Sequence, residues 1–215
     1  MEERKIVSIS GRHVGDIAFY LAKILGADDK AVLICDLSEQ HEIFDIFELT
    51  PGEKVAYLRN LTVIKDATYN EDAFAAFSAI VVYQGTKADQ TWWDASDVQF
   101  VITSYDRYDL TDLAYGISGM NFEKTRIVFK HRFTKKIKDA DVISMLGMDP
   151  EKSKELLEIP FDESSEAIRI AWEYNGNQRV ADIPKTDQEF LLEMYEVLDP
   201  EVDPKVKKKL ISMAR

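Results

Sequence analysis

Short apolar runs alternate with amphipathic segments along most of the chain. The apolar runs show little polar alternation, which is typical of strands buried on both faces of a parallel sheet. Flanking glycine, proline and acidic residues mark their ends. We predict strands at residues 5–10, 31–36, 55–58, 61–64, 79–83, 98–103, 125–130 and 156–160.

The segments between these runs carry apolar residues at helical spacing. We predict helices at residues 16–26, 40–48, 71–77, 110–117, 139–146, 163–174 and 186–198. Strands that alternate with helices predict an α/β fold with three layers, in which helices flank a mostly parallel sheet. We expect one domain over residues 1–204, followed by a basic C-terminal tail at 205–215.

Charge and composition narrow the class of protein. The chain has 215 residues and a net charge of −12, which argues against a specific nucleic-acid partner. Its single cysteine, Cys35, lies in an apolar run and is expected to be a buried thiol in a reducing compartment. The charged start and the lack of a long apolar segment predict a cytoplasmic protein.

The first strand runs into a glycine turn that resembles a phosphate-binding loop. Such a loop reads G-x-x-x-x-G-K-[ST] before its helix. This turn is one residue shorter, and it places Asp16 at the lysine position and Ile17 at the hydroxyl position. A carboxylate repels a triphosphate, and isoleucine cannot ligate Mg²⁺. The residues of the loop are Gly11, Arg12, His13, Val14, Gly15, Asp16 and Ile17.

The order of these pieces resembles the MinD/ParA family of deviant Walker-type ATPases across most of the chain. Arg12 stands where that family has an extra lysine, and Asp36 ends the second strand as an acidic residue does there. Residues 95–103 resemble the family's alanine-aspartate, apolar strand and threonine piece, and 159–163 its isoleucine-proline-tyrosine-aspartate turn. The resemblance implies a P-loop NTPase-like fold of the SIMIBI/MinD type.

The family's nucleotide chemistry is missing at several positions at once. Tyr83 replaces the aspartate that holds the metal-bound water in the family. The strand that should end in a base-reading asparagine ends in Lys130, His131 and Arg132 instead. Joint loss implies a degenerate member, similar to the TadZ/CpaE-like pilus-localisation proteins, with no cofactor. It would position or scaffold a secretion, pilus or partition assembly and bind protein partners, a homodimer among them.

The alternative is an active ATP–Mg²⁺ switch in which Arg12 contacts phosphate. Two observations argue against this switch. Arg12 can pair with Asp16 or with Asp36 instead of binding phosphate. Asp16 can itself interact with the free N–H groups at the start of its helix, where a phosphate would bind. The three histidines have no ligand spacing, so we expect no metal site.

Two further features leave alternatives open. Trp92 and Trp93 follow a polar stretch and are either an interface anchor or rings packed on the sheet. A basic segment is either a solvated face or a site for an anion or acidic partner. It comprises Arg126, Lys130, His131, Arg132, Lys135, Lys136 and Lys138.

The tail combines basic residues with an apolar side formed by Val206, Leu210, Ile211 and Met213. Basic amphipathic helices can lie on anionic lipid, as the C-terminal helix of MinD proteins does. The tail therefore predicts either a helix packed on the domain or a weak peripheral attachment to the inner face of the membrane.

Overall fold

The computed structural model describes residues 4–47, 49–50, 52–131, 136–151, 156–175 and 179–214. Its strands are β1 (Lys5–Ser10), β2 (Val32–Asp36), β3 (Val55–Leu58), β4 (Leu61–Lys65), β5 (Ala79–Gly85), β6 (Val98–Thr103), β7 (Thr125–Lys130) and β8 (Leu157–Ile159). Its helices are α1 (Gly15–Leu25), α2 (Gln90–Ala95), α3 (Arg107–Gly116), α4 (Asp139–Met145), α5 (Glu163–Asn175), α6 (Lys185–Leu198) and α7 (Pro204–Met213).

The strands form one sheet in the order β3-β4-β2-β5-β1-β6-β7-β8. Every neighbouring pair is parallel except β3 and β4, which form an antiparallel pair at one edge. All the described residues of β2 and β5 are buried, as expected of strands covered on both faces. The mostly parallel α/β sheet predicted from the sequence is confirmed.

Helices cover both faces of the sheet, which gives the predicted three layers. On one face α1, α5, α6 and α7 pack on side chains such as Ile9, Ile34 and Val81. On the other face α3 and α4 pack on Val101 and Ile127, and α2 contributes a tryptophan to each of two clusters. The carboxyl ends of the central strands are left uncovered, and the loop after β1 lies there.

Two predicted helices are absent from the described residues. Residues 40–47 form turns, because Asp36 accepts hydrogen bonds from the N–H groups of Ile43 and Phe44 and so competes with the helical pattern. Residues 71–77 form turns whose N–H groups bond three residues back, as Ala75 does to Asp72. Both predictions were therefore wrong.

The tandem tryptophans are not a surface anchor. They lie in α2, a helix that we did not predict, and Trp92 and Trp93 are 1% and 0% exposed. Trp92 Nε1 donates to the carbonyl of Ala67 at 2.8 Å, and Trp93 Nε1 donates to that of Asn121 at 2.7 Å. The interface hypothesis is wrong for this pair, since adjacent side chains enter two different clusters of one chain.

The predicted boundary at residues 204 and 205 falls inside α7, whose first residue is Pro204. Leu210 is 4% exposed and packs in the main core, and Ile211 and Met213 pack against it. The apolar side of the tail thus faces the domain, except for Val206, which is exposed. Among the described residues, none of the helices has the length and apolarity needed to cross a membrane.

Candidate functional site

The loop of residues 11–14 joins β1 to α1 at the carboxyl edge of the sheet. Gly11 lies against the neighbouring strand, where an added Cβ would stand 2.5 Å from the carbonyl oxygen of Ile102. Its N–H donates to the carbonyl of Gly85 at 2.8 Å. His13 adopts a φ of 52°, a left-handed conformation that closes the short turn. Val14 precedes the helix and gives it no side-chain cap.

Arg12 points away from the start of α1. Its Nη2 donates to Asp112 Oδ2 at 2.7 Å, and its Nη1 lies 3.4 Å from Asp109 Oδ1. The guanidinium also lies 4.9 Å from the centre of the Tyr108 ring. The hydrogen bond to Asp112 is the main reason that the pKa of Arg12 is raised. Neither Asp16 nor Asp36 is its partner, so the predicted pairing was wrong in both forms.

A carboxylate from elsewhere in the chain lies over the start of α1. Glu42 Oε2 stands 3.1 Å from the point that a Cβ on Gly15 would occupy. The same oxygen accepts a hydrogen bond from the Tyr83 hydroxyl at 2.8 Å, and Oε1 lies 3.4 Å from His13 Nδ1. A helix N-terminus favours negative charge, and this carboxylate lies beside Gly15, the first residue of α1.

Asp36 and Tyr83 hold that carboxylate in place. Asp36 accepts four hydrogen bonds from the segment that carries Glu42, from Ser38 N and Oγ, Ile43 N and Phe44 N. Burial raises the pKa of Asp36, and these bonds oppose the rise. Tyr83 is fully buried, and burial together with Glu42 raises its pKa well above the usual value. Asp36 and Tyr83 therefore both bond to the segment that carries Glu42.

Asp16, the second residue of α1, lines a different cavity from the one that Glu42 lines. Burial raises its pKa to about 6, while Lys130, the Ile17 N–H and Arg169 oppose the rise. Its Oδ1 has no exposed surface and no hydrogen-bond partner. Ile17 lies beside it and lines the same cavity. The predicted interaction of Asp16 with its own helix start is present only through the Ile17 N–H.

The predicted basic segment does not form one cluster. Lys130 and His131 end β7 and lie 3.9 and 3.5 Å from Glu166 Oε1. Arg126 is the second residue of the same strand, about 13 Å from Lys130 at the usual rise per residue, and it donates to the carbonyl of Thr125. Exposed Lys136 and Lys138 precede α4. Arg132 and Lys135 lie outside the described residues.

Two cavities that differ in the charges of their lining flank the loop. One measures about 180 Å³ and is lined by Arg12, His13, Glu39, Glu42, Tyr83 and Asp112. The other measures about 400 Å³ and is lined by residues that include Arg12, Lys130, His131, Phe161, Glu166 and Arg169. The first is rich in carboxylates, and the second has three permanent cations opposed by Glu166 and Asp109.

Sequence reasoning missed the residues that complete the site. Glu42 lay in a segment predicted to be helical, and nothing in its neighbourhood marked it. Asp109 and Asp112 are three residues apart on α3, a spacing that places two carboxylates on one helix face and offered a signal for Arg12. In the described part of the chain no group of three or more His, Cys, Asp or Glu is arranged to hold a metal.

Solved structures of partition and cell-division proteins share this architecture. A ParA family ATPase from Chlorobium tepidum TLS matches with a TM-score of 0.59 and 14% identity, over 100% of this chain and 98% of that one. The MinC:MinD cell division protein complex of Aquifex aeolicus matches with a TM-score of 0.61 and 12% identity, over 93% and 98%.

A putative plasmid partition protein from Borrelia burgdorferi B31, bound to AMPPNP, matches with a TM-score of 0.59 and 13% identity, over 90% of this chain and 98% of that one. No protein-family model and no curated protein matches the sequence. At these identities the likeness concerns the fold. This chain has the fold of the ParA- and MinD-type P-loop ATPases.

Proposed function

We propose that this protein is a catalytically degenerate relative of the MinD/ParA ATPases that positions or scaffolds a larger assembly, such as secretion, pilus or partition machinery. In this proposal it works in the cytoplasm without ATP or Mg²⁺ and acts through protein partners. The observation that carries the proposal is the Glu42 carboxylate at the start of α1.

Glu42 lies beside Gly15, the first residue of α1, where its negative charge opposes an incoming phosphate. Its partner Tyr83 stands at the position that the family resemblance assigns to a metal-side aspartate, so one substitution removes the carboxylate for the metal and supplies a donor to Glu42. A phosphate entering here would displace a hydrogen-bonded carboxylate, and it would meet Glu39 and Asp112 in the same cavity. Coulomb repulsion at such distances opposes binding by several kcal/mol when water is excluded.

The loop also lacks an available positive charge. Arg12 is bound to Asp112 and Asp109, and His13 lies beside Glu42. The lysine of a phosphate-binding loop is replaced by Asp16, whose carboxylate turns into a separate cavity. A chain that has this fold but lacks these charges is better suited to bind other proteins than to hydrolyse ATP.

Protein partners are proposed by analogy with the structural neighbours. The Aquifex aeolicus neighbour is a complex of MinD with MinC. Any homodimer of this chain would lack a nucleotide at its loop and so would depend on contacts between its own side chains. Weak membrane attachment would need α7 to leave the core in which Leu210 is buried.

The 400 Å³ cavity favours one second candidate, an ATP-dependent switch with an altered loop. Its volume falls in the usual range of ligand pockets, and Arg12, Lys130 and Arg169 line it. In that case Arg12 would exchange Asp112 for a phosphate oxygen. Glu166 opposes this, because it already lies within 4 Å of Lys130 and Arg169.

Calorimetric titration with ATP and Mg²⁺, together with a phosphate-release assay, tests the proposal. We expect no heat of binding at micromolar protein and no turnover above the protein-free blank. The variant Arg12→Ala should behave as the natural chain does. Arg179→Ala serves as its matched control, since Arg179 forms a two-pronged ion pair with Asp182 in the segment between α5 and α6.

Binding at micromolar ATP together with turnover that Arg12→Ala abolishes and Arg179→Ala retains would contradict the proposal and establish the switch. Binding without turnover would leave a nucleotide-regulated scaffold and remove the claim that Glu42 closes the site.

A further inference from the structure

A small cavity beside Asp16 has a lining of both polar and apolar side chains, contributed by α1, the ends of β7 and β8, α5 and α6. The space open to water-sized molecules inside it measures about 40 Å³. That is room for about three water-sized groups and far too little for a nucleotide. The polar part of its lining includes Asp16, Lys130, Ser165, Glu166, Arg169 and Asp187.

Three buried oxygens in this lining lack a hydrogen bond of ordinary geometry: Asp16 Oδ1, Ser165 Oγ and Asp187 Oδ1. The Ser165 hydroxyl interacts with the Asp187 carboxylate and so opposes the rise in the pKa of Asp187 that burial causes. Native proteins satisfy most buried polar atoms, because an unsatisfied one costs about 1–3 kcal/mol. Three in one cavity are therefore a feature that needs an explanation. The two carboxylate oxygens accept hydrogen bonds, and the Ser165 hydroxyl can accept one while its proton is directed to Asp187, so the missing group is a donor.

The charge of the cavity has the same implication. Its carboxylates are those of Asp16, Glu166 and Asp187, and its permanent cations are Lys130 and Arg169. Burial lowers the pKa of His131, which favours the neutral ring. Glu166 lies within 4 Å of Lys130, His131 and Arg169, so it takes up the positive charge. The described residues offer Asp16 and Asp187 no ion pair within 4 Å, and the cavity keeps a net charge of about −1.

The rest of the lining is apolar. Ile17, Tyr20, Ile168, Phe190 and Leu191 form walls beside the three oxygens. A primary ammonium group carries one positive charge and three N–H donors, which equals the number of those oxygens. An alkyl chain attached to it would lie along the apolar walls toward the open side. A metal ion fits less well, since no cluster of metal-ligating side chains forms in the described residues.

We propose that this cavity binds the ammonium group of a primary alkylamine, held by Asp16, Asp187 and Ser165. The site is separate from the loop and does not depend on whether the protein binds nucleotide. The same chemistry is carried by a free amine and by a lysine side chain, and the probes below separate the two.

Thermal unfolding tests the site with salts at equal ionic strength: n-butylammonium, tetramethylammonium and sodium chloride. Tetramethylammonium has the same charge but no N–H donor. At about ten times its Kd, a ligand of the folded state raises the folding equilibrium constant about tenfold. We expect n-butylammonium to raise Tm by about 3 to 5 °C over the other two salts.

Isosteric variants locate the effect. Asp16→Asn and Asp187→Asn should each lose the n-butylammonium shift while they unfold cooperatively in sodium chloride. Glu123→Gln removes the same charge from an exposed turn remote from the cavity and should keep the shift. Nα-acetyl-lysine methylamide is the second probe: a shift equal to that of n-butylammonium identifies a lysine side chain as the source, and a shift from n-butylammonium alone identifies a free amine.

Equal Tm values in n-butylammonium and tetramethylammonium would overturn the proposal and leave water molecules as the partners of the three oxygens. So would a full n-butylammonium shift in both aspartate variants. If either variant fails to fold, line broadening of the natural chain's Ile17 and Ile168 methyl signals on amine titration replaces it, and unchanged signals would reject the site.

Discussion

At the scale of single residues, Asp16 departs furthest from what its position in the fold would require. A nucleotide-binding loop has lysine there. In this chain the carboxyl is enclosed beside Lys130 and Arg169, and burial raises its pKa from 3.8 to about 6. The folded chain therefore binds this proton more tightly than the unfolded chain does, and the stability that it gives depends on pH.

The sign of that dependence follows from the raised pKa. Between pH 4 and 6 the folded state holds a proton that the unfolded state has released, so this residue's contribution to stability falls as pH rises through that window and stays low above it. We expect Asp16→Asn to gain about 1 kcal/mol over the natural chain between pH 5 and pH 8, after a discount for the partly exposed side chain. Urea unfolding at the two pH values measures the difference.

Glu123→Gln controls for the loss of one negative charge, and its stability difference should not change with pH. A stability difference between Asp16→Asn and the natural chain that is the same at pH 5 and pH 8 would show that Asp16 titrates normally.

The sequence predicted part of this site. The glycine positions, the missing lysine and the missing hydroxyl follow from local spacing alone. The partners do not, because Arg12 meets Asp112 across 100 positions of the chain and Tyr83 meets Glu42 across 41. Such pairs are set by strand order and helix packing, which single-residue patterns do not encode.

At the scale of elements, α7 decides whether the C-terminal residues are a tail or part of the domain. It begins at Pro204 with Asp203 as its cap, and Leu210 enters the core shared by α1 and α6. Its lysines lie on the other sides of the helix, where Lys207 pairs with Glu196 of α6. A basic amphipathic pattern thus serves packing on the domain as readily as it would serve a membrane surface.

Two substitutions in this helix separate those roles. We expect Leu210→Ala to lower the free energy of unfolding by about 2 to 4 kcal/mol, because it leaves a cavity in the core. Val206→Ala, at a position 45% exposed, should change it by less than about 1 kcal/mol. Urea unfolding of both variants provides the comparison, and equal effects at the two positions would mean that α7 is not docked.

The elements that were predicted correctly have a clear apolar pattern: the strands contain a short run rich in apolar residues, and the helices carry apolar residues at helical spacing. The errors occurred where side chains take over backbone hydrogen bonds. Asp36 and Ser38 bond the N–H groups of the segment at 38–44, and Asn70 bonds that of Ala73. The opposite error occurred at α2, where Asp89 caps a helix too short to show an apolar period.

At the scale of the whole molecule, the sheet order places the site. The strands β5 and β6 lie on either side of β1, so the chain proceeds to one side of β1 and later to the other. Open α/β sheets bind ligands in the crevice at the carboxyl ends of strands at such a point. The loop, Glu42 and the two flanking cavities all lie there. The fold thus places the loop where such sheets bind ligands, with Asp16 and Ile17 at the lysine and hydroxyl positions of a phosphate-binding loop.

This arrangement predicts how assembly responds to nucleotide. Under the proposed function Glu42 closes the loop to phosphate, so we expect the molar mass in solution to be the same with and without ATP and Mg²⁺. Sedimentation velocity at several protein concentrations measures it, and sodium triphosphate at equal ionic strength is the control. A mass that doubles only with ATP would favour the switch over the scaffold.

The burial of α2 has a practical consequence for work in solution. All three tryptophans of the chain, Trp92, Trp93 and Trp172, are at most 2% exposed. Intrinsic fluorescence should therefore show a blue-shifted emission that acrylamide quenches poorly, and it should change sharply on unfolding. The same property makes tryptophan emission a poor reporter of docking at the surface, so an extrinsic dye is needed to observe a partner arriving.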